Sequence, residues 1–353
     1  MKKVLHYFHL SIFFCLLFIL SATLSAKPLA DNSINFSAQI QQQLGIGTAE
    51  KKSLSIDNNN IALFESIQAL YKQGNYQLIW KDKNMISSLL KAINESEQQG
   101  LSAQDYHQQA IKQHLTAKVN NYKKQRAQAD ILMSDAFLRL VYHKRFGKVI
   151  AKEIDQHWNL KRELIVADPI AKLQEILTSA QTLNVFFNQL NDLGVLYKGL
   201  IWALAQYKEI AAKGGWETIP TGKTIKPDMQ DPRLPLIAAR LQINGYLAAD
   251  YLVAEKDNNY PSYNDVLQTA VKKFQTSYNL EVDGIIGNGT LEQMNISAAQ
   301  RVEQIKANLE RVRWVKYNLS DEFVLVNIAG YKVYYFRNNQ LLWKSKVQVG
   351  KNY

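Results

Sequence analysis

Cysteine is almost absent from this chain: of 353 residues only Cys15 is one, and it lies inside an apolar N-terminal run. Removal of that run leaves no thiol, which excludes cysteine nucleophiles, disulfides and thiolate metal sites from the remainder. Histidine is scarce as well, with six in all and none beyond His157. His107 and His114 are seven apart and could share a helix face, and His143 and His157 flank a basic segment. Neither pair sits in a His-Glu-x-x-His pattern, so no metal site is expected. Gly-x-Ser-x-Gly is missing, and so is the Gly-x-Gly-x-x-Gly phosphate loop; no cofactor is implied. Ser88 opens Ser-Leu-Leu-Lys, formally the Ser-x-x-Lys of penicillin-recognising enzymes. Its Lys-Thr-Gly and Ser-Asp-Asn companions are lacking, and Leu89-Leu90 reads as core.

What the chain does have is positive charge, +11 net, of which a cleaved leader would remove Lys2 and Lys3. The Lys and Arg residues are dispersed, with no compact cluster interleaved with aromatics, so nucleic acid is not the expected partner. An anionic surface or polymer is. Lys2 and Lys3, the apolar run Leu10 to Leu20 and small residues ending at Ala26 fit a secretory leader over residues 1–26, which places the chain in the periplasm. An uncleaved anchor is the alternative, and would be the chain's only membrane contact; the run is short against the roughly 20 residues that span a bilayer.

Residues 27–60 are polar and rich in Gln, Asn and Ser, and read as a linker or loosely held arm. From 61 to 215 the pattern is helical, with Leu63, Ile67 and Leu70 on one face, then Phe137, Leu140 and Val141. Trp202, Trp216 and Trp314 are expected in the core rather than as sugar platforms. Residues 216–232, with Pro220, Pro227 and Pro232, read as a second linker, and Pro235 opens a helix. From 233 to 297 a small three-helix unit is expected, packed on Leu241, Val271, Phe274, Ile286 and Leu291. Ser262 and Asp265 make a capping box for a helix that buries Val266, Ala270, Phe274 and Tyr278. Asp283-Gly284 makes a turn, and Thr290 with Gln293 caps the third helix. Ile305, Leu309 and Val312 form one buried stripe on a connecting helix, 298–319. Beyond 322 the residues alternate at period two, through Val324, Val326 and Ile328, then Val333 and Tyr335. Asn338-Asn339 turns the chain into a further strand, "LLWKSKVQV".

The stretch "AVKKFQTSYNLEVDGIIGNGT", Ala270 to Thr290, resembles the peptidoglycan-binding domain often appended to cell-wall enzymes. Further stretches in the same order, "YKQGNYQLIW", "DILMSDAFLRLVYHKRFGKV", "YKGLIWALAQYKEIAAKGGWETIPTG" and "ANLERVRWV", are similar to the large periplasmic L,D-transpeptidases with a YkuD-type catalytic domain. "VLVNIAGYKVYYF" and "KVQVGK" look like the opening strands of that domain. The resemblance implies a mainly α chain: a helical scaffold domain, a small three-helix peptidoglycan-binding domain and, over 322–353, the first β-strands of an incomplete YkuD-type domain. It implies peptidoglycan as partner, and Phe274, Gln275, Asp283 and Thr290 as the substrate-contacting positions, each of which also has a folding role.

In that family a cysteine thiolate attacks the third residue of a peptidoglycan stem, releases the terminal D-alanine and passes the acyl group to an amine, with a nearby His as base. Its Ser-His-Gly-Cys motif does not occur here, so no catalytic residue carries over. The chain is expected to be the inactive N-terminal portion of such an enzyme, with Ser-His-Gly-Cys encoded beyond codon 353. A noncatalytic wall-binding protein is the alternative.

Overall fold

The computed structural model describes residues 35–47, 53–116, 121–154, 169–191, 194–252, 260–316, 319–328, 330–338 and 340–350. The expected leader, Cys15, His157 and Asn339 lie outside the described residues.

Within the arm expected over 27–60, the described residues carry a helix and a short hairpin. Helix α1, Ser37–Leu44, buries Ile40 and Leu44 completely; two apolar residues one turn apart seat it, and the glutamines that made it look like a linker cover its outer side. A short hairpin follows, β1 (Ser55–Ile56) with β2 (Asn59–Asn60). Its turn residues Asp57 and Asn58 both take positive φ, the backbone that two-residue hairpins favour.

Helices α2 (Phe64–Gln73), α3 (Lys83–Ser96) and α4 (Gln108–Leu115) then gather around α5, Tyr122–Phe146. Asp82 caps α3 by accepting the Asn84 N–H at 2.8 Å. Every residue of α5 from Ala127 to Leu138 is buried, so this helix is covered all round and carries no single apolar stripe. Phe137 and Leu140 are in the core as expected, whereas Val141 is only half-buried.

Two carboxylates inside α5 hold the surrounding loops. Asp130 accepts from the Tyr71 hydroxyl (2.6 Å), the Ile79 and Trp80 N–H groups (2.9 and 3.0 Å) and Arg126 (3.2 Å). One turn on, Asp135 accepts from the Leu63 N–H (3.2 Å) and Arg139 (2.7 Å) and pairs with His107 Nε2 (2.8 Å). Buried charges so paired hold three separate segments in register, and loss of one partner costs about 3–5 kcal/mol.

Helices α6 (Ala151–Ile154), α7 (Pro169–Ile176), α8 (Ala180–Asn191) and α9 (Gly194–Ala212) follow. After α9 the chain leaves to form α10 (Leu234–Ile243), α11 (Asp265–Ser277) and α12 (Asn288–Asn295). It returns as α13, Ala298–Lys316, along α9. Tyr197 and Leu204 of α9 meet Val302 and Leu309 of α13, with Ile305 and Val312 packed alongside, which is the stripe read from the sequence. The α10–α12 unit is thus an excursion from an adjacent helix pair, with its own core.

That core contains Leu241, Val271, Phe274, Ile286 and Leu291, all expected there. It also contains Ile219 and Ile225, so the stretch 216–232 is part of the unit and not a free linker. Asn295 exchanges two hydrogen bonds with the Ile219 backbone (2.8 and 2.9 Å), and Ile225 bridges to Ile286. The prolines shape a backbone that other residues pin. Two caps also differ from expectation. Asn264, not Ser262, caps α11 by accepting the Leu267 N–H at 3.0 Å. Helix α12 starts at Asn288, which leaves Thr290 inside its first turn.

The last described elements are β3 (Glu322–Asn327), β4 (Lys332–Arg337) and β5 (Gln340–Lys346), one antiparallel sheet in that order. Asn338, in the β4–β5 turn, has φ 51°. Phe323 stacks on Phe336 at 4.9 Å, while Val324, Val326, Ile328 and Trp343 are exposed. The protein is mainly α with a small, uncovered β sheet.

Candidate functional site

The four positions expected to contact substrate fall within one neighbourhood. Phe274 is fully buried against Tyr246 and Tyr278. Gln275, also buried, donates from Nε2 to Asp283 Oδ1 (2.9 Å) and the Ile285 carbonyl (3.0 Å), lies 3.4 Å from Thr290 Oγ1, and accepts the Gly284 N–H on Oε1 (2.9 Å). Tyr263 donates its hydroxyl to the Gly284 carbonyl at 2.7 Å. Gly284 has φ +76°, and a Cβ there would come within 2.8 Å of the Gln268 and Lys272 side chains. Both its backbone and its surroundings require glycine.

These contacts make a clamp that fixes the Asp283-Gly284 turn, with its polar groups directed inward. Phe274, Gln275 and Thr290 are buried, and their side chains are engaged in the core and in the turn. Asp283 alone faces solvent. Its partial burial would raise its pKa, but the Ile285 N–H and Gln275 hydrogen bonds outweigh that and hold the carboxyl below its ordinary value.

An open groove of this unit lies on another face of α11. Tyr246 and Leu247, just after α10, oppose Asp265, Val266, Thr269 and Lys273 across a groove of about 360 Å³. Leu247 is buried at its base, and Val266 is 52% exposed. Asp265 and Lys273 bracket it, eight residues and so about 12 Å apart along the helix. The groove therefore offers an apolar strip, a tyrosine wall and charges of opposite sign at its two ends. Such a lining suits a chain that alternates apolar and polar groups.

A peptidoglycan binding domain model matches residues 230–294. The peptidoglycan-binding domain is thus the α10–α12 unit, and the groove lies within it. A Scaffold domain model matches residues 65–204, the helices from α2 into α9. No curated protein matches the chain.

The sequence singled out none of the groove as binding surface. Val266 was assigned to the buried stripe of α11, but the inward register starts one residue later, at Leu267. The tyrosine-leucine pair 246–247 and the polar Thr269 carry no motif of their own.

The scaffold histidines turn to separate partners. His107 precedes α4 with φ 54° and meets Asp135, while His114, inside α4, meets Asp57 at 2.9 Å. Among the described residues no three His, Cys, Asp or Glu side chains cluster as metal ligands, and no helix is long and apolar enough to cross a membrane. His143 packs against Tyr106, Nδ1 to hydroxyl 3.1 Å; burial first, then Arg139, pushes its pKa down to about 4. Of the three tryptophans expected in the core, Trp202 is 67% exposed, whereas Trp216 lies under Arg240 and Trp314 hydrogen-bonds Glu310.

Proposed function

We propose that this chain docks on peptidoglycan through the α10–α11 groove, as the wall-binding and scaffold portion of an L,D-transpeptidase of the periplasm. The observation that carries the docking is the peptidoglycan-binding domain at 230–294, whose groove is lined by Tyr246, Asp265, Thr269 and Lys273. Two further observations support the transpeptidase reading. The scaffold domain precedes the binding domain, and α13 brings the chain back to that scaffold before β3–β5 begin. The three-stranded sheet leaves Val324, Val326 and Trp343 exposed, and an apolar face of that kind fits packing within a larger β domain.

The reaction in that family is acyl transfer through a cysteine thioester. This chain contributes docking and orientation: Cys15 is its only thiol and His157 its last histidine, so no nucleophile and base stand together after the binding domain. The proposed boundaries are a leader to Ala26, a scaffold that starts with α1, a binding domain from Ile219 to Asn295 in place of the 233–297 read from the sequence, and α13 as the return helix.

Sedimentation with purified peptidoglycan sacculi tests the docking. The full chain is expected in the pellet at moderate salt and to be released as salt screens its basic charge. A chain that stays in the supernatant overturns the proposal. Incubation with stem tetrapeptides tests the division of labour: no D-alanine release is expected from this chain alone.

A further inference from the structure

A second cavity, of about 550 Å³, lies in the scaffold domain between α3 and α8, and it does not depend on the wall-binding reading. Its sides are two helix faces. Asn84 and Ser88 come from α3, Asn184, Asn188 and Asn191 from α8, and Lys144 at the end of α5 closes the floor. The volume falls within the roughly 300–1,000 Å³ of small-molecule sites.

Lys144 is the unusual member. It is 1% exposed, and its ammonium donates to Asn191 Oδ1 at 2.7 Å, an oxygen that also accepts from Gln99 at 2.8 Å. Among the described residues no carboxylate lies within ion-pair distance of it. Lys91 and Glu95, both also in the lining, pair with each other at 3.7 Å. An ammonium has three donors, and a buried charge is normally paired or fully hydrogen-bonded. Burial accordingly pushes the Lys144 pKa down to about 8, against the pull of Glu95. The side chains of Asn84, Ser88, Asn184 and Asn188 have no hydrogen-bond partner among the described residues, so the walls present unused donors and acceptors of both kinds.

We propose that this cavity binds a peptide with a free carboxylate, which Lys144 receives on the floor while the asparagines of α8 hydrogen-bond the peptide amides. Side-chain amides match backbone amides, each with donor and acceptor. A glycan is the poorer fit, because the lining holds a single aromatic, Phe187, among side-chain amides, and sugar rings are held chiefly by stacking on aromatic faces.

The test uses the full chain and two probes, acetyl-Ala-Ala-Ala with a free C-terminal carboxylate and the same peptide as its C-terminal amide. Calorimetry gives affinity, and the side-chain amide NMR signals of Asn184, Asn188 and Asn191 give location. The acid is expected to bind about tenfold to hundredfold more tightly than the amide, the value of one charge-assisted hydrogen bond, and to shift those signals. Lys144→Met should erase that preference. Should Lys144→Met not fold, Asn188→Leu at the exposed rim serves instead, with weaker binding of both peptides and the acid preference kept. Equal binding of acid and amide, no binding of the acid, or an N-acetylglucosamine oligomer shifting the same amides would each overturn the proposal.

Discussion

The Arg240 guanidinium lies 3.5 Å from the centre of the Trp216 ring, and around this pair the scaffold meets the peptidoglycan-binding domain. Tyr207 of α9 sets its ring edge-on to Trp216 at 6.3 Å, and its hydroxyl lies 3.0 Å from that of Tyr278 on α11. Arg240 Nε donates to the Met294 carbonyl at 2.9 Å, while its two terminal nitrogens have no acceptor among the described residues. The indole face is thus the main partner of a buried cation. Trp216→Ala is expected to cost about 2 kcal/mol in urea unfolding, from the cation–π contact and the lost packing together. Adding Arg240→Met should recover part of that loss, because the stranded charge goes with it.

The clamp and the groove separate experimentally. Gln275→Leu strips the partners from Gly284, Asp283 and Ile285 and is expected to destabilise the binding domain by about 2–4 kcal/mol. Val266→Asp, on an exposed position, should leave the unfolding midpoint nearly unchanged and reduce retention on sacculi several-fold. The reverse pattern would place binding at the turn.

Gly147 fixes where α13 can lie. Its φ is +83°, and a Cβ would collide with Glu310 and approach Trp314 at 2.7 Å. Glu310 also accepts from the Val149 N–H (2.8 Å) and from Arg313 (3.0 Å), and Arg313 reaches Tyr197 and Gln99. Gly147→Ala should cost about 2 kcal/mol or more by thermal or urea unfolding, chiefly by displacing α13 from the end of α5.

His143 predicts an acid-sensitive limb. Its folded pKa, about 4, is below the unfolded value near 6.5, so the unfolded chain binds the extra proton. Stability from this group is intact above about pH 6.5 and is lost as pH falls toward 4, on the order of 2–3 kcal/mol. Asp130 acts in the opposite sense, since burial raises its carboxyl despite Arg126. The comparison with His143→Gln isolates the histidine: unfolding measured from pH 7 to 4 should be flatter in the variant.

Much of the architecture was legible in the residues. The α13 stripe of Ile305, Leu309 and Val312, and the small core of Leu241, Val271, Phe274, Ile286 and Leu291, follow from periodicity and punctuation that local sequence encodes. Less legible was anything that two apolar residues or a few long-range hydrogen bonds decide. Helix α1 reads as a polar arm until Ile40 and Leu44 find the scaffold core, and 216–232 reads as a linker until Ile219 and Ile225 find the other. In α5 the stripe of Phe137, Leu140 and Val141 announces one face, whereas its burial on all sides is set by the helices that surround it.

By itself the sequence determined the mainly helical composition, the glycine turns at Asp283-Gly284, the basic charge and the lack of a cysteine beyond Cys15, because each depends on residue type alone. Only the tertiary structure decided which face of α11 is open, that Gln275 and Thr290 serve the turn, and that Lys144 lies buried against Asn191. Those outcomes depend on which segments pack against one another, and a one-residue change of register between Val266 and Leu267 is enough to exchange a core position for a surface one.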